Sequence, residues 1–163
     1  MYHLTEAYLM SALVVCLAAL LGALVFGSTS VAPAAVRLLD RSNCALFLRE
    51  YWVLYHRLAV NSGLVITATL GIGSVFSAVP LLYATILIAL SATMTLCFWI
   101  GFQIIPTINR ARDTGADEVF SRLHKIDFLL VGAGLLLLLS VIIGLVYVLP
   151  GQFTFWPTAL NPA

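Results

Sequence analysis

The sequence predicts an all-α, polytopic membrane protein: a four-transmembrane-helix bundle made of two parallel-repeat helical hairpins. Three observations predict it. Of 163 residues, 62% are hydrophobic and 9% charged, with a mean hydropathy of +1.07, so a water-soluble fold would lack the polar surface to cover itself. Long uncharged intervals separate short charged stretches. Finally, Pro33, Arg37, Asp40, Phe47 and Arg49 recur as Pro106, Arg110, Asp113, Phe120 and Arg122, at one constant offset of 73 residues.

The length allows about four spans, because crossing the hydrocarbon takes roughly 20 apolar residues. The whole chain, 1–163, therefore reads as a single membrane domain. Nothing is charged between Glu6 and Arg37, and the apolar run over 7–27 is the first helix. The uncharged interval between Arg57 and Arg110 is too long for one crossing. It suits two helices, 54–74 and 81–104, with a tight turn marked by Gly71, Gly73, Ser74, Ser77 and Pro80. The fourth helix runs over 128–149 and stops at Pro150 and Gly151. The tail over 150–163, with Phe153, Phe155, Trp156 and Pro157, suits an interfacial segment.

All eight Lys and Arg residues lie in or beside the connectors over 33–53 and 106–127. Short basic loops resist translocation, which puts both connectors in the cytoplasm and both termini on the non-cytoplasmic side. The repeats are then related by an axis along the membrane normal. The connectors read as helical extensions. Ser42 or Asn43 is the expected cap of one, and Asp113 or Thr114 of the other, with Asp117 and Glu118 in its first turn. Pro33 and Pro106 are expected to end or kink the preceding helices. Arg37 is placed to pair with Asp40, and Arg110 with Asp113, at i, i+3.

No Asp, Glu, Lys or Arg falls near the middle of a span, so the usual mark of a proton relay or charged-substrate path is missing. Asn61, Gln103, Thr67, Thr69, Ser91, Thr93 and Thr95 read as helix-to-helix or back-to-backbone hydrogen bonders. Ala19, Ala23 and Gly27 form a small-residue stripe that favours packing within the chain over a dimer interface. Cys16, Cys44 and Cys97 have no pairing or metal spacing. The charge pattern excludes a nucleic-acid surface, and no nucleophile–base pair or phosphate-binding glycine loop is present.

The chemically notable residues cluster at the inner interface. His56 and His124 lie near the cytoplasmic starts of the second and fourth helices, at similar depth. Arg49 stands two turns from His56 on one helix face, and Asp127 one turn beyond His124, where it could orient that ring. One reading is a haem or metal site with His56 and His124 as ligands and Arg49, Arg57 or Arg122 meeting anionic groups. The other is a set of headgroup and loop contacts. His3 reads as a solvated side chain.

The segment over 25–63, with Phe26, Pro33, Phe47 and the Tyr55-His56 pair, resembles the transmembrane-protein-205-like integral membrane proteins. The runs Ile105-Pro106-Thr107-Ile108-Asn109-Arg110 and Phe120-Ser121-Arg122-Leu123-His124 are similar to that family's last connector. The resemblance implies a four-helix membrane protein with no established reaction. More distantly, the chain resembles copper-resistance-D-type membrane domains.

Three functional classes follow. The first is a non-catalytic accessory or structural subunit that associates laterally with a larger membrane complex, or with copies of itself. The second is a haem- or metal-binding redox protein using His56 and His124. The third is a small-solute or metal permease with a polar cavity lined by Asn61, Gln103 and the threonines.

Overall fold

The computed structural model describes residues 2–76 and 81–148. They form α1 (Tyr2–Phe26), a π-helical turn (Gly27–Val31), α2 (Ala32–Leu38), α3 (Arg41–Phe76), α4 (Leu81–Asp113) and α5 (Asp117–Val148), with no strand among the described residues. Four helical rods, Ser11–Leu38, Arg41–Val75, Leu81–Asp113 and Asp117–Val146, are long and apolar enough to cross a membrane. The interfacial tail over 150–163, the 77–80 end of the tight turn and the side chain of His3 lie outside the described residues.

Burial along the rods follows alternating steps of three and four residues. On α4 the buried seam runs through Ala84, Leu87, Ser91, Met94, Phe98, Gly101, Ile105, Ile108 and Ala111, with Thr95 buried beside it. On α5 it runs through Asp127, Val131, Gly134, Leu138, Val141 and Leu145, and on α3 through His56, Ala59, Gly63, Ile66 and Leu70, with Tyr55 and Cys44 also buried. A mean step of 3.5 keeps one seam of each helix facing its neighbours. α4 packs along both α3 and α5, whereas α1 rests on α5 and touches α3 only lightly. Close approach is permitted where the seam carries glycine. A Cβ on Gly134 would stand 2.6 Å from the Phe98 ring, and one on Gly63 would meet Met94 and Thr95. Gly134, too weakly patterned to be singled out in the sequence, is thus a helix-crossing residue. Thr67 Oγ1 lies 3.0 Å from Ser91 Oγ across the α3–α4 seam. Thr69, Thr85 and Thr93 instead donate to their own helix carbonyls four residues back.

The connectors are helical and merge with the spans. α3 begins at Arg41 and α5 at Asp117, more than two turns before the apolar runs. Asp40, rather than Ser42 or Asn43, caps α3: its Oδ2 accepts the backbone N–H of Ser42 and of Asn43, both at 3.2 Å. The Ser42 hydroxyl also donates to Oδ2, and the Asn43 amide to Oδ1. That occupies the carboxylate, so Asp40 has other partners than Arg37.

The second connector ends differently. Gly115, at φ +69°, closes α4 in a Schellman arrangement, with Ala116 N–H donating to Ala111 O at 2.9 Å and Gly115 N–H to Arg112 O at 3.3 Å. Neither Asp113 nor Thr114 caps α5. Thr114 bonds back to the Arg110 carbonyl at 3.0 Å, and Asp113 accepts from Arg49 rather than Arg110. Asp117 and Glu118 do occupy the first turn of α5.

Pro106 lies inside α4 and does not end it. It removes one backbone donor, and the helix runs on to Asp113 on its remaining bonds. Pro33 sits at the start of α2, where a missing N–H is tolerated. The π turn before it is closed by Ala32 N–H donating to Gly27 O. The Ser28 and Thr29 hydroxyls donate to the Leu24 and Val25 carbonyls at 3.0 and 2.7 Å.

On α1 the described buried positions are Leu17 and Leu24, followed by Gly27 at the start of the π turn, while Ala19 and Ala23 face outward. The expected intramolecular role of the small-residue stripe therefore holds only at Gly27. There the chain passes against the rings of Tyr51 and Tyr55. Tyr55 ties the helices together by donating its hydroxyl proton to Leu24 O at 3.2 Å.

Candidate functional site

Three seams meet at the end of the bundle that carries the connectors, and each supplies one part of a buried polar site. α3 contributes His56, fully buried at 0% exposure, α5 contributes Asp127 at 6%, and α4 contributes Gly101 between them. His56 Nε2 lies 3.1 Å from Asp127 Oδ1, and Nδ1 lies 2.9 Å from the Trp52 carbonyl oxygen one turn back on its own helix. A Cβ at position 101 would stand 2.6 Å from His56 Nε2 and 2.9 Å from Asp127 Oδ1. Glycine is thus the residue that lets imidazole and carboxylate meet across α4.

Aromatic rings wall the pair. The centroids of Tyr55, Trp52 and Phe98 lie 5.5, 6.3 and 6.3 Å from that of the imidazole, all in edge-on arrangements. Such walls exclude water and lower the local dielectric, which strengthens a satisfied hydrogen bond and penalises an unsatisfied one. Among the described residues, no buried side-chain nitrogen or oxygen lacks a partner.

The other residues singled out by sequence lie elsewhere. His124 is exposed and stacks on Phe120 with centroids 5.6 Å apart and planes 6° from parallel. Asp127, expected to orient His124, orients His56 from 71 positions away. Arg49 donates to Asp113 at 2.6 Å, with side chains 39% and 55% exposed. An ion pair so open to solvent is worth about 0–1 kcal/mol, yet it joins the two connectors. Arg122 is exposed on α5 in a shallow groove with Glu118, Ser121, Lys125, Ile126 and Leu129. Arg57 is also exposed.

This placement bears on the chemistry. With both ring nitrogens engaged, His56 has no lone pair to offer a haem iron or other metal without breaking a contact. No group of three or more His, Cys, Asp or Glu residues suited to a metal occurs among the described residues. Asn61 and Gln103 are exposed rather than lining the interior. Cys16, Cys44 and Cys97 are free.

No family model, curated protein or solved structure matches the chain.

Proposed function

We propose that this chain is a polytopic membrane protein of two parallel-repeat hairpins, with both basic connectors cytoplasmic and both termini on the opposite side. In this reading it works without chemistry of its own, as an accessory or structural subunit that associates laterally with a larger membrane complex. The observation that carries the reading is the contrast between faces. Outward positions such as Leu58, Leu64, Val65, Ile72, Leu96 and Leu136 are large, apolar and exposed, while among the described residues buried polar side chains are satisfied internally. A bundle of this kind is solvated by lipid on its outward faces. The outward Ala19 and Ala23 give a partner helix room for close approach on α1, the least enclosed of the rods.

Several features support the repeat at the inner ends. The stacked pair Phe120–His124 has its counterpart, offset by 73, in Phe47–Tyr51, with centroids 5.7 Å apart and planes 11° from parallel. Ala32 and Ala35, buried in the first half, correspond at that offset to the buried Ile105 and Ile108. The likeness of the connectors to the transmembrane-protein-205-like proteins belongs to the same proposal.

The test is purification in mild detergent. A stoichiometric partner should be retained by the wild type and lost from an Ala19→Leu, Ala23→Leu variant that keeps its own fold. A stable, solitary monomer carrying a visible chromophore would contradict the proposal and revive the haem alternative.

A further inference from the structure

The hydrogen-bond geometry around His56 fixes a proton count. The Trp52 carbonyl can only accept, so the 2.9 Å contact requires a proton on Nδ1. On the other side, Nε2 faces a carboxyl oxygen at 3.1 Å. An unprotonated Nε2 against a carboxylate would oppose two lone pairs in a site closed to water, so this contact also holds a proton, carried on the ring or on the carboxyl group. Either form contains one proton more than a neutral imidazole beside a carboxylate. Either form is also neutral overall, as a site with His56 at 0% and Asp127 at 6% exposure demands.

We infer that the His56–Asp127 pair is a binding site for a single proton, which latches α3 to α5 over Gly101 and releases them when it leaves. The surroundings offer no substitute for it. Among the described residues, no Lys or Arg forms an ion pair with Asp127. On α3, Tyr55 is the titratable group facing the pair and is in electrostatic contact with Asp127, while neighbouring Arg57 is exposed. α4 presents Gly101 and Phe98, neither of which ionises. α1 approaches through the Leu24 carbonyl that accepts from Tyr55. On α5, His124 and Lys125 are exposed.

Removing the proton leaves a buried negative charge facing a lone pair. The ring cannot turn its Nδ1–H toward Asp127 without giving up the Trp52 carbonyl. The helices must then part to admit water, so the latch opens when the proton leaves. This inference goes beyond the assembly role and does not depend on it, because it is tested on the isolated full-length chain.

The test combines two readouts on protein in lipid nanodiscs, taken from about pH 5 to about pH 10. The first is the 15N spectrum of labelled histidine together with the carboxyl stretch of Asp127. The second is the distance between spin labels at the exposed positions Leu54→Cys and Phe128→Cys, on α3 and α5. In the wild type, the shared proton should be visible wherever the label distance is short, and its loss on alkalinisation should coincide with a lengthening of that distance. In Asp127→Asn the amide N–H can donate to a neutral Nε2, so the short distance should persist at every pH. An unprotonated Nε2 beside a carboxylate while the label distance is short would overturn the inference, as would a wild-type distance that ignores pH. If Asp127→Asn does not fold, the wild-type titration alone decides.

Discussion

Gly101 is where one missing methyl group holds the site together. A Cβ there would press on His56 Nε2 at 2.6 Å and Asp127 Oδ1 at 2.9 Å, and neither group can retreat without losing its hydrogen bond. Gly101→Ala is therefore expected to destabilise the bundle by at least about 2 kcal/mol, from overpacking and the broken pair together. Gly132 has nothing within 4 Å of its would-be Cβ. Gly132→Ala should instead gain up to about 1 kcal/mol of helix propensity. Opposite shifts of the unfolding midpoint in the two purified variants would check the pair of predictions. The sequence makes His56 conspicuous, and it offers Asp127 as a partner for the wrong histidine. Local spacing puts Asp127 one turn from His124, but helix rotation is set by the whole three-four seam. Extending the apolar seam of α5 backward from Val131 reaches Asp127, and extending that of α3 backward from Ala59 reaches His56. That signal was legible, but which helices face one another was not.

At the scale of elements, the spans are legible because charge is excluded from them, and the ends are less so because caps compete. Asp40, Ser42 and Asn43 are all capable N-caps. Asp40 prevails because its carboxylate takes two backbone donors at once. Its hydrogen bonds to the Ser42 and Asn43 side chains, then to the Asn43 backbone, hold its pKa down from 3.8 to about 2. A depressed carboxyl group favours the folded cap above its unfolded value and loses that contribution as pH falls through the folded one. The first turn of α3 should thus be intact above about pH 4 and fray toward about pH 2. The amide resonances of Ser42 and Asn43 should titrate with a midpoint near 2, whereas a midpoint at the ordinary 3.8 would deny the cap. At the other connector, Gly115 was the overlooked stop signal. Its glycine supplies the left-handed φ of +69°, and Pro106, the more obvious breaker, is absorbed inside α4.

Across the whole molecule, the proposed repeat matches at the connectors and not in the spans. At the offset of 73, His56 corresponds to Leu129 and Asp127 to Leu54, both exposed. α3 and α5 thus turn different faces to the core, and the buried pair has no second copy. Repeated residues also meet across the halves, since Arg49 comes from one copy of the pattern and Asp113 from the other. The proposed placement of both connectors on one side of a membrane accommodates this contact, and it is the central claim about architecture. It is tested most directly by labelling in intact, oriented membrane vesicles with an impermeant maleimide, after Cys16, Cys44 and Cys97 are replaced by Ala. Single cysteines at Leu39 and Thr114, exposed positions in the two connectors, should react from the same, cytoplasmic side. Labelling from opposite sides would contradict the parallel hairpins.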